Sequence, residues 1–475
     1  MSAPIWKKTA LLIPVENQVR ELDAKLLLAC VAARRGMQSV IGFKRDIEFG
    51  IASFPPSIFL AKSLRIGKRK IFPLSRRLGH KIVAWDEEAL VHLPADIYYS
   101  RRLSARGMKY VSHLFAWGDD NAELWRRYPA LPGATRIHVT GNPRGDLLRR
   151  DMRIFYQEEA ARIRQSYGQF ILVNTNFNHV NAFYPAQNLF QPIKRSGEEP
   201  EFGQAARGMP RKYAEGLRDH KQTIFEHFQR LIPVLDESFP EYTIVVRPHP
   251  TENQKIYQEI AARCRRVRVT NQGNVVPWLL ATCALIHNGC TTGVEAYAMR
   301  VPSISYMPET NEYYDYGFYQ LPNRLSYQCF NLSDLQDTLA RILEGQLAAL
   351  HGEEGEALVK RHLAAQSGPL ACERIVDILQ KVAQDLIRCP SPSWRHRLAG
   401  RLQTTSRRLR QNVKAKLPGA TKTKEFQQHR YPPVALQDIS SRIDKFQEIL
   451  GGDEQVEVSQ VSRNIFRVAP AARHI

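Results

Sequence analysis

The residues best suited to chemistry stand where apolar strands end in the second half of the chain. The strand YTIVV is followed by Arg247-Pro248-His249-Pro250. Proline on each side of His249 stiffens the backbone and stops the strand, so the imidazole is held at the carboxyl edge of a sheet. In that place it can donate a hydrogen bond to a phosphate oxygen.

A second segment, His287-Asn288-Gly289-Cys290-Thr291-Thr292-Gly293, is typical of a strand-to-helix turn. It offers two hydroxyls and the N–H groups of a helix N-terminus, which together favour an anion. Glu295 lies one turn into that helix, where its carboxylate can accept hydrogen bonds from ribose hydroxyls. Each feature alone has a plainer explanation, since His-Pro usually marks a turn and Thr-Thr usually caps a helix. At successive strand ends of one sheet they indicate a phosphate or nucleotide site, and the chain has no GxGxxG or Walker A loop.

Three adjacent acids, Asp86, Glu87 and Glu88, follow the strand KIVAW in the first half of the chain. Neighbouring acids disfavour one another's ionisation, so one of them can be kept as a general base. The alternative is a solvated helix start, because acids favour a first helical turn. Their position at a strand end favours the functional interpretation.

Polar residues follow two further strands. The segment Thr140-Gly141-Asn142-Pro143-Arg144-Gly145-Asp146 lies near the predicted hinge between two domains. Its Arg144 either pairs with an anionic group or ties the turn to Asp146. After the strand FILV come three asparagines, Asn174, Asn176 and Asn178, which either contact a sugar or base or cap a loop.

The segments DEE, TGNPRGDLL, VRPHP and HNGCTTGVEA, in this order, resemble a family of bacterial surface carbohydrate biosynthesis proteins. The resemblance covers roughly residues 8 to 387. The chain is also similar, more distantly, to the GT-B glycosyltransferases that use CMP-activated acidic sugars, namely the capsule-type Kdo transferases and the bacterial sialyltransferases. Those enzymes carry a His-Pro motif and a serine/threonine motif that hold the CMP phosphate. They also carry a paired-acid motif, D/E-D/E-G, whose second acid is the base.

Carried onto this chain, the resemblance implies that His249 contacts the phosphate, with Thr291 and Thr292 beside it. It implies a metal-independent enzyme without a cofactor, whose co-substrate is a CMP-linked nucleotide sugar. The complete set of residues expected to bind that nucleotide sugar is Arg247, His249, Asn288, Thr291, Thr292, Glu295, Asn142, Arg144, Asn174 and Asn176.

The resemblance also implies that Glu88 is the catalytic base, because it precedes the position where the family has glycine. This chain has Ala89 at that position. The departure leaves the choice among Asp86, Glu87 and Glu88 open.

The function predicted on this basis is transfer of an acidic sugar, Kdo or a sialic-acid-like sugar, to a bacterial surface glycan or lipid-linked acceptor, as in capsule or lipopolysaccharide biosynthesis. A CDP-glycerol-type glycerophosphotransferase is the alternative, since such polymerases share a G-x-P-R and His-Pro layout. A third interpretation is a non-catalytic scaffold that binds anionic glycan or lipid through a basic tail.

Strands alternate with helical segments along most of the chain, which predicts an α/β protein with parallel sheets. We expect a GT-B arrangement of two Rossmann-like domains whose sheets face each other across a cleft. The predicted boundaries are 1–168 for an acceptor domain, 169–387 for a nucleotide-sugar domain and 388–475 for a basic extension. The polar stretch 174–220 is expected to be a functional or disordered loop, and 354–386 to be helical.

Composition is that of a globular protein: 475 residues, 43% hydrophobic, with a formal charge of 67 − 47 = +20. No run of about 18 apolar residues predicts a membrane-spanning helix, and the N-terminal apolar stretch is too short for a signal peptide. The seven cysteines form no C-x-x-C pair, which argues against a zinc site and favours a reducing cytoplasm.

Half of the net charge lies in residues 391–430, which contain eleven Lys/Arg and one acid, Glu425 (11 − 1 = +10). Four apolar residues fall near one helix face: Trp394, Leu398, Leu402 and Leu409. This pattern indicates a basic amphipathic helix on anionic lipid, at the inner face of the cytoplasmic membrane; the alternative is a solvated surface. Nucleic acid is not expected, because aromatic residues are not interleaved with the charges.

Overall fold

A computed structural model of the protein describes residues 9–65, 71–92, 94–193, 199–315, 320–388, 392–415 and 423–471. The chain forms two compact units. The first unit consists of residues 1–155 and 359–475, and the second unit of residues 156–358.

The first part of the first unit alternates strands and helices. Its strands are β1 (Leu11–Val15), β2 (Ser39–Phe43), β3 (Ile58–Ala61), β4 (Lys81–Ala84), β5 (Val111–Ala116) and β6 (Arg136–Val139). Its helices are α1 (Gln18–Arg34), α2 (Lys44–Gly50), α3 (Ile71–Arg77), α4 (Ala95–Arg102), α5 (Ala105–Met108), α6 (Asp119–Arg126) and α7 (Pro143–Asp146). The strands are parallel. β1 to β4 are buried along almost their whole length, as expected for a sheet covered on both faces, whereas β6 at the edge is partly exposed.

The second unit repeats this alternation. Its strands are β7 (Phe170–Thr175), β8 (Thr243–Pro248), β9 (Val267–Val269), β10 (Ala284–His287), β11 (Ser303–Tyr306) and β12 (Tyr327–Cys329). Its helices are α8 (Gln157–Tyr167), α9 (Arg211–Ser238), α10 (Lys255–Ala261), α11 (Val275–Ala281), α12 (Thr291–Met299), α13 (Glu312–Asp315), α14 (Gln320–Arg324), α15 (Leu332–Leu343) and α16 (Glu353–His362). The last of these, α16, crosses the division between the units at 358/359. The parallel sheet has the order β12-β11-β10-β7-β8-β9.

The chain then returns to the first unit. The returning elements are α17 (Ala371–Ile387), α18 (Trp394–Lys414), α19 (Lys424–Arg430), α20 (Leu436–Leu450), β13 (Val456–Ser462) and β14 (Ile465–Pro470). β13 and β14 form an antiparallel hairpin, and β14 pairs with β2. The first sheet therefore has the order β13-β14-β2-β1-β3-β4-β5-β6.

The prediction of an α/β fold with two parallel sheets is confirmed. The predicted boundaries at 168/169 and 387/388 differ from the observed division, which lies at 155/156 and 358/359. The cause is the returning segment: the buried carboxylate of Asp146 accepts hydrogen bonds from the first two N–H groups of α17, at 2.7 and 2.9 Å. The expected separate basic extension is likewise part of the first unit, because its last strand completes that unit's sheet.

Two local expectations also change. The helix expected over 354–386 is two helices, α16 and α17, separated by a segment that contains Gly368 and Pro369. Part of the polar stretch 174–220 is folded, because α9 begins at Arg211 and a small apolar cluster forms around it. That cluster consists of Leu189, Phe190, Ala206, Met209, Ala214 and Leu217.

Within the described ranges, no helix has both the length and the apolar character needed to cross a membrane.

Candidate functional site

The carboxyl edge of the second unit's sheet brings together three of the segments singled out in the sequence. β7 lies between β10 and β8, with Asn174 in register with His287 on one side and with Arg247 on the other. The residues that follow these strands are therefore neighbours at one edge, where ligands bind in parallel α/β sheets.

His249 follows β8 and is partly buried. Its Nδ1 accepts a hydrogen bond from the backbone N–H of Thr251 at 3.3 Å and lies 2.8 Å from the Thr251 hydroxyl. In the neutral ring, an accepting Nδ1 leaves the proton on Nε2. His249 is thus set up as a hydrogen-bond donor, the role that phosphate binding requires.

A buried carboxylate that the sequence analysis did not single out holds the His249 loop. Glu252 accepts hydrogen bonds from the His249 N–H at 3.2 Å, from the Thr175 hydroxyl at 3.1 Å and from the Tyr257 hydroxyl at 2.7 Å. Burial raises the pKa of Glu252 above its ordinary value. The one available signal in the sequence was an acid three residues after the histidine, in a turn bounded by proline.

His287, at the end of β10, has a structural task. The fully buried ring accepts the Gly289 N–H at Nδ1 (2.9 Å) and lies 2.8 Å from the Ser326 hydroxyl at Nε2. Burial lowers the pKa of His287 to about 3, so the ring is neutral. A Cβ on Gly293 would lie 2.6 Å from His287 Nε2, which explains why glycine occupies that position in the helix.

The turn from β10 leads into the N-terminus of α12, formed by Thr291 and Thr292. The preceding residue, Cys290, makes no side-chain hydrogen bond that caps the helix. Its thiol lies 2.5 Å from the Thr292 hydroxyl, and burial raises the pKa of Cys290 to about 11. The helix therefore presents first-turn N–H groups and a neutral thiol, which suits an anion. Glu295 is buried in the second turn.

Three asparagines surround this edge. In the described part of the chain, the carboxamide oxygens of Asn174, Asn176 and Asn288 are buried and have no hydrogen-bond partner. Asn288 also reaches the backbone carbonyl of Asn176 at 3.4 Å. Buried polar groups without partners are uncommon in folded proteins and point to a ligand or an ordered water.

Arg247 makes structural contacts. Its guanidinium donates to the backbone carbonyls of Gln272 at 2.7 Å and Gly273 at 2.6 Å, and lies 5.1 Å from the Trp278 ring centroid. Burial lowers the pKa of Arg247 to about 9. These contacts fix the Arg247 guanidinium inside the second unit. Its expected role in nucleotide binding stays a prediction.

In the first unit, Asp86 and Glu87 follow β4 and are both buried. Asp86 is paired with Arg102, whose Nε lies 3.0 Å away, and accepts the Tyr98 hydroxyl at 2.9 Å. Glu87 is paired with Lys25 at 3.1 Å and accepts the Trp85 indole N–H at 2.8 Å. Each of these two acids is thus tied into the interior of the first unit.

Glu88 is the most accessible of the three acids, with 45% of its side chain exposed. Its carboxylate is bound by the Arg20 guanidinium through contacts of 3.2 and 3.4 Å. The cation at Arg20 holds the pKa of Glu88 well below its usual range. The expectation that neighbouring acids would disfavour ionisation is wrong for this residue, because the charge of Arg20 on α1, with that of Arg102, lowers its pKa.

The segment after β6 is engaged within the first unit. Asn142 caps α7 by accepting the Arg144 N–H at 3.0 Å, and its Nδ2 is buried without a partner among the described residues. The Arg144 guanidinium lies 5.5 Å from the Trp117 ring centroid. Asp146 caps α17, and burial raises the pKa of Asp146 to about 6.

A histidine–carboxylate pair that the sequence analysis missed lies near the acids. His92 Nε2 is 2.6 Å from Asp120 Oδ2, and His362 Nε2 is 3.6 Å from the same oxygen. Asp120 stands in the first turn of α6, just after β5. Burial opposes ionisation of Asp120, but the hydrogen bond from His92 and the charge of His362 keep its pKa below the ordinary value. His92, Asp120 and His362 are distant in sequence, so no local motif could predict that they lie together.

No group of three or more His, Cys, Asp or Glu side chains within the described ranges could hold a metal ion.

No protein-family profile matches the chain, and no curated protein matches it. Among solved structures, the wall teichoic acid polymerase TagF is similar at 12% identity and a TM-score of 0.49, over 80% of this chain and 90% of that one. UDP-GlcNAc 2-epimerase from Methanocaldococcus jannaschii, in complex with UDP-GlcNAc and UDP, is similar at 13% identity and a TM-score of 0.42, over 79% of this chain and 99% of that one. The UDP-GlcNAc 2-epimerase from Neisseria meningitidis gives 12% identity and a TM-score of 0.44, over 79% and 100%.

Proposed function

We propose that the protein is a metal-independent glycosyltransferase of the GT-B type that transfers an acidic sugar, Kdo or a sialic-acid-like sugar, from a CMP-linked donor to a bacterial surface glycan or lipid-linked acceptor. The observation that carries the proposal is the edge of the second sheet. There a donor imidazole at His249, the N-terminus of α12 and three carboxamides with unpartnered atoms stand on adjacent strand ends.

The donor phosphate is assigned to the second unit. The His249 Nε2–H and the first-turn N–H groups at Thr291 and Thr292 donate to the phosphate oxygens, where negative charge grows as the sugar leaves. The carboxamides of Asn174, Asn176 and Asn288 and the carboxylate of Glu295 take the hydroxyls of the ribose or sugar. These assignments use fixed groups, so they need little rearrangement during the reaction.

Acceptor activation is assigned to the first unit. Glu88 is proposed as the base because Asp86 and Glu87 are buried in ion pairs, whereas Glu88 reaches solvent. Its pairing with Arg20 keeps it ionised and also makes it a weak base. Asn142 and Arg144 remain proposed contacts to the nucleotide sugar.

The test is release of CMP from CMP-Kdo and CMP-sialic acid by the wild type and by two variants, His249→Ala and Glu88→Gln. Loss of a phosphate donor or of the base is expected to slow turnover by roughly a hundredfold or more. The control variant is His227→Ala, on the same unit but on α9. Unchanged turnover in both test variants would remove the assignment of roles.

A CDP-glycerol-type glycerophosphotransferase is the second candidate. The same edge supports it, because a phosphate group held by His249 and α12 could belong to either a CMP-linked sugar or CDP-glycerol. Thermal-shift measurements with both donors, followed by analysis of the product for sugar or glycerol phosphate, separate the two reactions.

We place the enzyme in the cytoplasm. The cysteines within the described ranges are free thiols, which fits a reducing compartment. A scaffold without catalysis would instead bind nucleotide weakly or not at all, and its cellular role would survive loss of both His249 and Glu88.

A further inference from the structure

Helix α18 is held on the first unit by one face. A Cβ on Gly400 would lie 2.9 Å from Leu78 Cδ2, so glycine lets the helix backbone approach the unit closely. Thr404 is buried, and Arg407 pairs with Glu48 at 3.3 Å. Positions 400, 404 and 407 recur every three or four residues and so share a side of the helix.

The opposite side of α18 carries an exposed apolar stripe, which we call the outer stripe. At roughly 3.6 residues per turn, its members fall within about a third of the helix circumference. Each is between 49% and 69% exposed. The members of the outer stripe are Trp394, Leu398, Leu402, Leu409 and Val413.

Arginines border the outer stripe on both sides. Arg401 and Arg408 lie along one border and Arg410 along the other, and all three are exposed. Arg395 lies 5.7 Å from the Trp394 ring centroid. The sequence of α18 contains seven Lys/Arg and no acid, so the helix as a whole carries a high positive charge.

The outer stripe and the arginines beside it together favour one kind of partner. Nucleic acid would pair with the arginines but leave five large apolar side chains uncovered. A second copy of the chain, placed stripe to stripe, would bring like charges together. An anionic bilayer accepts both parts, because its acyl boundary takes the apolar stripe and its headgroups take the arginines.

We propose that α18 lies in the headgroup region of an anionic membrane, with the outer stripe toward the acyl chains and the 400/404/407 face toward the first unit. The helix then anchors the first unit to the bilayer as a peripheral protein. This surface is independent of the proposed transferase reaction, so either proposal can fail without the other.

The test is co-sedimentation of the full-length protein with vesicles of phosphatidylcholine alone and of phosphatidylcholine mixed with phosphatidylglycerol. We expect binding to the mixed vesicles, weakened by high salt. The variant Leu398→Ser/Leu402→Ser/Leu409→Ser should lower the partition coefficient at least about tenfold. The matched control is Ile154→Ser/Ile193→Ser/Phe330→Ser, which removes three exposed apolar side chains elsewhere.

A second arm tests the charges. Arg401→Glu/Arg408→Glu should also lower partitioning at least about tenfold. Arg127→Glu/Lys255→Glu changes the net charge equally at two other exposed sites and should leave partitioning nearly unchanged.

Three results would overturn the proposal. One is equal binding to neutral vesicles. Another is a wild-type protein that is a dimer in light scattering and does not bind vesicles, together with a leucine variant that is a monomer. The third is binding to duplex DNA that the arginine variant abolishes, again with no vesicle binding.

Discussion

At the scale of single residues, two histidines at the ends of the strands on either side of β7 differ in role because they differ in burial. His287 is fully buried and neutral; its Nδ1 accepts the Gly289 N–H in the turn before α12, and its Nε2 contacts the Ser326 hydroxyl before β12. His249 uses its Nδ1 within its own loop, which leaves Nε2 as a donor. Residue type alone did not distinguish them, because burial and partners are set by the fold.

Glu252 should act as a positioning residue for His249. Glu252→Ala removes an acceptor shared by three buried donors, although the His249 N–H keeps the Thr175 carbonyl and the Tyr257 hydroxyl keeps Thr175 Oγ1, each at 3.1 Å. The second unit should therefore lose about 2 kcal/mol of unfolding free energy. Nucleotide affinity should fall as well, because the His249 N–H loses one of its two hydrogen bonds. Urea denaturation and nucleotide titration measure the two effects. Glu259→Ala, on the exposed side of α10, is the control, and equal behaviour of the two variants would contradict the assigned role.

The identity of the base can be read from the dependence of kcat/KM on pH. Because Arg20 holds the pKa of Glu88 below its usual range, the wild-type rate should stay constant from pH 8 down to about 5. Arg20→Gln removes the cation, so the Glu88 pKa should rise and the acid limb should move up toward about 4.3, the ordinary glutamate value. A wild-type rate that falls tenfold per pH unit below about 6.5, together with loss of activity in His92→Asn, would assign the base to His92 instead.

At the scale of elements, strands with continuous apolar runs and the helices between them could be predicted from sequence. β3 was missed because its four apolar residues lie in a segment, residues 57–81, that has eight Lys/Arg and no acid. The β13–β14 hairpin was missed because β13 is half exposed and its pairing with β14 has an irregular register. The partners of the site residues could not be predicted: Arg20 lies 68 positions from Glu88, and only the order of the strands brings them together.

The turn between β10 and α12 should not tolerate a side chain at Gly293. In Gly293→Ala the new Cβ would meet His287 Nε2 at 2.6 Å and Pro322 Cβ at 3.2 Å. The His287 ring is fixed by its hydrogen bonds, so the helix must shift, at an expected loss of about 2 kcal/mol in unfolding free energy and of most nucleotide binding. Gly352→Ala has no atom within 4 Å of the new Cβ and serves as the control in thermal unfolding. Wild-type behaviour in Gly293→Ala would refute the packing argument.

At the scale of the whole molecule, both units contain a buried neutral histidine whose Nδ1 accepts a backbone N–H. In the first unit, Nδ1 of His80 accepts the Ser57 N–H at 3.1 Å, and in the second, His287 accepts the Gly289 N–H. Burial lowers the pKa of His80 to about 4 and that of His287 to about 3. Protonation of either ring would place a proton against an N–H donor.

Stability should therefore fall as the pH drops. Below about pH 6.5 the two histidines are protonated in the unfolded protein but stay neutral in the folded protein. The unfolding free energy therefore decreases between about pH 6.5 and the pKa of each folded histidine. Between pH 7 and pH 5 each unit should lose about 2 kcal/mol of unfolding free energy from its histidine. Urea denaturation at pH 5, 6 and 7 measures the loss, which should persist unchanged in His351→Gln, an exposed histidine. Asp146, whose pKa is raised to about 6, takes up its proton first in the folded state and offsets part of the loss in the first unit. A loss that is equally steep in His80→Gln and in His287→Gln would contradict the assignment.

The return of the chain to its first unit has a consequence for biosynthesis. The second unit is one continuous segment, so it can finish folding while later codons are still being translated. The first unit waits for β14, whose pairing with β2 joins residues more than four hundred positions apart. Until the ribosome has delivered that strand, the nascent N-terminal half exposes an open β2 edge, which is the period in which a chaperone would have most to protect.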